Sequence, residues 1–291
     1  MQSVIRKEGS YGLQIRPQFV PAERSRLHFS IPLCEQTWVD RILRACEVIE
    51  GDPTLPREPL SYVLCRDRLE LIDDRPAFLE DLLDHRHRYL LLSSASGAPI
   101  DEGHVSITGV VNDAARQSYD LTVEFPAMPW EVRESLLAAI GDALGAHNGH
   151  ITPARAAQIF ASYYSLGTVP PEGVHPARAG WELDTYPLRE CMHRLSVIVP
   201  RIQNINVGGG RVSPLQPAIA GWMNYWSEGT CSFLGFPRQG RDEDLLAAAT
   251  QTPQGSWIVK LCDEPLDLAV DAHVTAIADV YERFSRLGIR V

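Results

Sequence analysis

Gly221-Trp222-Met223-Asn224-Tyr225-Trp226-Ser227 is the stretch from which the rest of the chain is best read. Leu234-Gly235-Phe236-Pro237 follows it, then an acidic helix start at Arg241-Asp242-Glu243-Asp244-Leu245-Leu246. Three of the six tryptophans fall between positions 222 and 257. A tryptophan removes a large apolar area from water while its N–H still seeks an acceptor, so it suits cores and half-open contact surfaces alike. Downstream, Asp242 to Thr250 reads as a short helix and Trp257 to Leu261 as a buried strand. The last helix carries an apolar stripe at Val274, Ile277, Tyr281 and Phe284, with Asp271 as its cap and Gly288 at its exit.

Upstream, strand and helix patterns intermingle. Tyr11, Leu13 and Ile15 alternate, as do Leu27, Phe29, Ile31 and Leu33, which is the period of a half-buried strand. Trp38, Ile42, Cys46 and Ile49 form one stripe of a helix from about Glu35 to Glu50, capped at Thr37. Ser61–Cys65 and Leu69–Ile72 read as short strands, and Pro76 opens a helix with Phe78, Leu79, Leu82 and Leu83 inward. Tyr89–Leu92 is an apolar strand, and Val105–Val111 with Tyr119–Phe125 suggests a hairpin. A helix starts at Pro129 and exits at Gly145 and Asn148-Gly149, and another begins at Pro153. Leu166 to Arg178 holds three prolines and two glycines and is the candidate boundary between lobes at 1–165 and 179–291, one continuous domain being the alternative. Leu195–Val199 and Ile202–Val207 read as further strands. Without the regular alternation of a doubly wound sheet, the class is α+β, with a mixed or antiparallel sheet packed against several helices.

The 291 residues carry a formal net charge of -10, and the cations are almost all arginine, with Lys7 and Lys260 the two lysines. An acidic chain is a poor partner for nucleic acid, whose affinity comes from clustered cations. It is suited to attracting a basic protein. The six cysteines include no C-x-x-C pair and read as reduced thiols. No apolar leader and no run long enough to span a membrane is present, so the cytoplasm is the expected compartment.

Motifs of chemistry are thin. Gly229–Gly235 lacks the spacing of a hydrolase nucleophile elbow. Gly208-Gly209-Gly210 lacks the lysine of a P-loop and the spacing of a dinucleotide site. His85/His87 and His147/His150 are pairs without further ligands, Asp73-Asp74 fits a helix start as well as a cation, and Cys34 has no histidine tied to it. Hence neither catalytic residue, metal nor cofactor is expected.

The Gly-Trp-x-Asn-Tyr-Trp-Ser run, on Gly221, Trp222, Asn224, Tyr225, Trp226 and Ser227, resembles the immunity protein 52 family and a closely similar uncharacterised bacterial family. The likeness is good from Ala220 onward and loose from about Tyr89 to Tyr164. It implies an immunity protein that binds and neutralises a cognate secreted polymorphic toxin, most readily a restriction-endonuclease-like nuclease delivered by type VI secretion. The candidate toxin-binding acids are Asp242, Glu243, Asp244, Asp263, Glu264, Asp267 and Asp271, with Trp222, Tyr225 and Trp226 as candidate anchors or, equally, core. The six acids from Glu70 to Asp84, against one arginine, form a second candidate surface. Two other readings stay open: an enzyme using dispersed residues such as His104, Asp120 and Cys231, and a secretion adaptor that carries an effector without inhibiting it. The oligomeric state is left open.

Overall fold

A computed structural model describes residues 25–32, 37–55, 57–65, 68–84, 89–94, 105–112, 118–126, 128–153, 156 and 213–288. The expected strands at Tyr11–Ile15, Leu195–Val199 and Ile202–Val207, the helix from Pro153, the triple glycine, the Leu166–Arg178 boundary, Cys34, His85, His87 and His104 lie outside these residues.

In chain order the strands are β1 (Ser25–Pro32), β2 (Tyr62–Cys65), β3 (Arg68–Leu71), β4 (Tyr89–Ser93), β5 (Ser106–Asn112), β6 (Ser118–Phe125), β7 (Asn148–Pro153), β8 (Met223–Trp226), β9 (Thr250–Gln251) and β10 (Trp257–Lys260). The helices are α1 (Trp38–Gly51), α2 (Arg75–Asp84), α3 (Trp130–Leu144), α4 (Glu228–Leu234), α5 (Glu243–Ala247) and α6 (Asp271–Arg283). Among the described residues, ten strands form one sheet in the order β3-β2-β4-β5-β6-β1-β7-β8-β10-β9. Every pairing in it is antiparallel. The fold is α+β. The pairing of β7 with β8 carries the sheet across the sequence boundary expected between the two lobes.

The two-residue period decides which face each strand buries. Leu27, Phe29 and Ile31 of β1 and Tyr119, Leu121 and Val123 of β6 point to the face covered by α1 and α3, and all are buried. Trp38 of α1 meets Tyr119 edge-on at 5.4 Å. Two arginines then fasten α1 to the end of α3: Arg41 donates to the carbonyls of Leu144 and Gly145 at 2.8 and 3.0 Å, and Arg44 to that of Ala143 at 3.2 Å. Cations there satisfy carbonyls that have no intrahelical partner and complement the helix dipole. Gly145 ends α3 in the left-handed region, with φ 55°.

Three elements differ from the sequence expectation. The helix expected from Asp242 to Thr250 ends at Ala247, and Thr250–Gln251 form β9. Asn148-Gly149 reads as a helix exit, yet it begins β7, which lies between β1 and β8. Gly149 is there because the neighbouring strand crowds it: a Cβ would sit 2.5 Å from Phe29 Cδ1 and 2.8 Å from the His28 carbonyl oxygen. At the other end, Phe284, not Gly288, ends α6, and Val270, one residue before Asp271, takes the N-cap position. Ser227 begins α4, its side chain accepting from the Thr230 N–H at 3.2 Å, and Gly235 closes that helix in the left-handed region.

Candidate interaction surface

Trp222, Tyr225 and Trp226 lie along or beside β8, and this strand is buried on both faces. Tyr225 points toward α3, whose Gly141 leaves room for its ring. Its hydroxyl donates to Asp142 Oδ1 at 3.0 Å and accepts from Ser256 Oγ at 2.8 Å, while Thr252 Oγ1 donates to the same Asp142 oxygen at 2.9 Å. Burial pushes the Tyr225 hydroxyl well above its ordinary range. Trp226 points to the other face and meets Phe236 and Phe284 edge-on at 5.2 and 5.4 Å. Asn224 is enclosed there and fully bonded, accepting from the Gly221 N–H and donating to the carbonyls of Gly221 and Val259. Trp222 donates to the Cys262 carbonyl at 2.8 Å and packs edge-on against Trp130 at 4.7 Å. Trp222, Tyr225 and Trp226 are therefore core: none is more than 4% exposed, and the role of surface anchors is corrected accordingly.

The seven candidate acids fall into three situations. Asp242 is fully buried and turned inward. It takes both ends of the Arg241 guanidinium at 2.7 Å and the Arg238 N–H at 2.8 Å, so its role is to fix the turn before α5 rather than to meet a partner. Asp244 is exposed but neutralised, gripped by Arg283 at 2.6 and 2.9 Å, which holds its carboxyl below the usual carboxylate range. Glu243 beside it is exposed.

Asp263, Glu264 and Asp271 are exposed and Asp267 is half-buried, all in or next to the segment joining β10 to α6. Asp267 shapes that segment, its Oδ1 accepting from the Ala269 N–H at 2.9 Å. No lysine or arginine occurs between Lys260 and Arg283, an interval holding six acids. Lys260 itself is engaged by Glu134 at 2.5 Å. Since α6 spans 13 residues, its two ends lie about 20 Å apart, which separates Glu243–Asp244 from the 263–271 group.

The second acidic surface, from Glu70 to Asp84, lies at the opposite edge of the sheet. Asp74 is largely occupied with structure, its Oδ1 accepting from the Ala77 N–H at the start of α2 at 3.0 Å. The one arginine of the segment, Arg75, forks onto Glu50 at 2.6 and 3.1 Å. Glu47, Ile72, Asp73 and Asp74 border an open cleft of about 420 Å³ beside it. Eight strand spacings separate β3 from β10, roughly 38 Å before twist, so one partner of ordinary footprint does not cover both surfaces.

The remaining reactive groups are dispersed. Asp120 lies on β6 and Cys231 on α4 beneath β8, with β1 and β7 between those strands. Cys231 donates to the Trp226 carbonyl, and burial pushes its thiol up to about 12. Cys46 is likewise a buried free thiol, and Cys262 is half-buried. His150 stacks on His28 at 4.9 Å across β7 and β1. Among the described residues no group of three or more His, Cys, Asp or Glu side chains is arranged to hold a metal ion, and no helix is long and apolar enough to cross a membrane.

Sequence reasoning passed over two features. The Asp142–Tyr225–Ser256–Thr252 network joins side chains 110 or more positions apart at its widest, and no local pattern marks it. Arg133, by contrast, sits on the buried stripe of α3 with Leu136, Leu137 and Ile140, and a cation on such a stripe was a readable signal. A family model described as Domain of unknown function (DUF5953) matches residues 173–291, a span that includes β8, α4, α5, β10 and α6. No curated protein matches the chain.

Proposed function

We propose that this chain is an immunity protein that binds a cognate secreted toxin, a nuclease carried by type VI or a related secretion route, and silences it in the cytoplasm. The observation that supports this reading most is the run of six acids with no lysine or arginine between Lys260 and Arg283, part of it exposed at the β10–α6 segment. A nuclease gathers cations to hold substrate phosphates. A preformed acidic surface attracts those cations, speeds the encounter and competes with nucleic acid for them. Tight inhibition needs a buried interface of about 1,600 Å². The core-bound aromatics support the surface from beneath without touching the partner.

Co-expression tests it. Cells producing the toxin encoded beside this gene are expected to survive with this chain and to die without it, while an unrelated toxin stays lethal. A chain that binds the toxin yet leaves it active is an adaptor, and a chain that binds no neighbouring toxin ends the proposal.

A further inference from the structure

Arg133 is only 6% exposed, and its Nε is enclosed with no hydrogen-bond partner. Among the described residues the side chain makes one contact of its own kind: Cζ lies 3.6 Å from the centre of the Trp130 ring. A cation stacked on a ring offsets part of the lost hydration, yet it satisfies none of the five guanidinium N–H groups, which point outward in the plane of the fork. Desolvation by burial lowers its pKa to about 10. Trp130 is the first residue of α3, so the guanidinium lies against the helix start. Pro129, at the N-cap, provides no side-chain acceptor for the free N–H groups there. Trp222, edge-on to Trp130, supplies an apolar wall.

We propose that Arg133 and the first turn of α3 form a binding site for a carboxylate. Face-on packing against Trp130 and the enclosed Nε leave the edge formed by the two terminal nitrogens, which can take a carboxylate in a two-bond fork. The orphan N–H groups and the positive end of the α3 dipole favour the same charge. The surroundings choose between oxyanions. Glu131 is exposed on the same turn, Glu134 lies on the next with Lys260 as its counter-ion, and Asp263 and Glu264 follow the Cys262 carbonyl that Trp222 binds. Against that background a singly charged planar carboxylate is accepted and a doubly charged phosphate is repelled. Its source is an acidic side chain on the otherwise basic face of a bound protein; that source rests on the proposed function, whereas the site does not.

The test uses the full chain, its tryptophan emission and two probes, N-acetyl-aspartate amide and inorganic phosphate. The expected result is a saturable emission change and a raised Tm with the carboxylate, at least about tenfold weaker in Arg133→Gln and weaker in Arg133→Lys, with phosphate inferior throughout. Near-UV circular dichroism establishes that each variant is folded, and Arg133→Lys serves if Arg133→Gln is not. No saturable carboxylate response, a phosphate response stronger than the carboxylate's, or an Arg133 variant that responds like the wild type overturns the site. Because the titration contains no toxin, a failed co-expression rescue leaves its outcome unchanged, and the two failures are told apart.

Discussion

Asp242 and Glu243 are adjacent acids with opposite roles. Asp242 satisfies Arg241 and the Arg238 N–H from a fully buried position, so Asp242→Ala strands a partly buried guanidinium and unties the turn before α5. A loss of about 3 kcal/mol in urea unfolding is expected. Glu243→Ala, on the exposed side, is expected to stay within about 0.5 kcal/mol of wild type. His28 gives a prediction in pH. Its pKa falls from 6.5 to about 4, chiefly through burial and secondarily through Arg26, with Asp120 acting the other way. The folded state therefore favours the neutral ring. That contribution is fully present above pH 6.5 and is lost as pH falls toward 4, up to about 3 kcal/mol in all. Stability measured between pH 7 and 4 should fall less steeply in His28→Phe than in wild type; equal slopes would assign the acid sensitivity to other groups.

At the scale of elements, the junction of β1, β7, β8 and α3 holds the halves of the sheet together. Gly149→Ala is expected to cost about 2 to 3 kcal/mol, because the new methyl meets the Phe29 ring and, less yieldingly, the His28 backbone. Tyr225→Phe deletes the bond to Asp142 and the acceptor of Ser256, and a loss of about 2 kcal/mol in chemical denaturation is expected. Much of this architecture is legible in the sequence where one period dominates. Leu27, Phe29 and Ile31 announce β1, the stripe Trp38–Ile42–Cys46–Ile49 announces α1, and the β5–β6 hairpin follows from two alternating runs. β7 is not legible, since Asn148-Gly149 has the chemistry of a turn and its strand role depends on the close approach of Phe29. β8 hides its role differently. Buried on both faces, its Met223-Asn224-Tyr225-Trp226 shows no alternation, and core aromatics look the same in sequence as contact aromatics. The acids of 242–244 mislead for a related reason: composition counts charges but does not show that Arg241 and Arg283 engage two of the three.

On the scale of the molecule, charge is divided between two surfaces at opposite edges of one sheet. The surface beside β10 and α6 is the one continuous with Trp222, Trp130 and Arg133, and it holds the interval of six acids without a lysine or arginine between Lys260 and Arg283. Negative charge on an interface rim acts mainly on the rate of encounter and is screened by salt, whereas the enclosed groups act on the lifetime of the complex. The decisive measurement is the association rate constant between this chain and the toxin that the proposed function assigns to it, across ionic strength, for wild type and for a variant with Asp263, Glu264 and Asp271 each changed to lysine. The proposed mode of action predicts at least about a tenfold slower association at low salt and a much flatter salt dependence in the variant. Identical rates and identical salt dependence in the two proteins would contradict it.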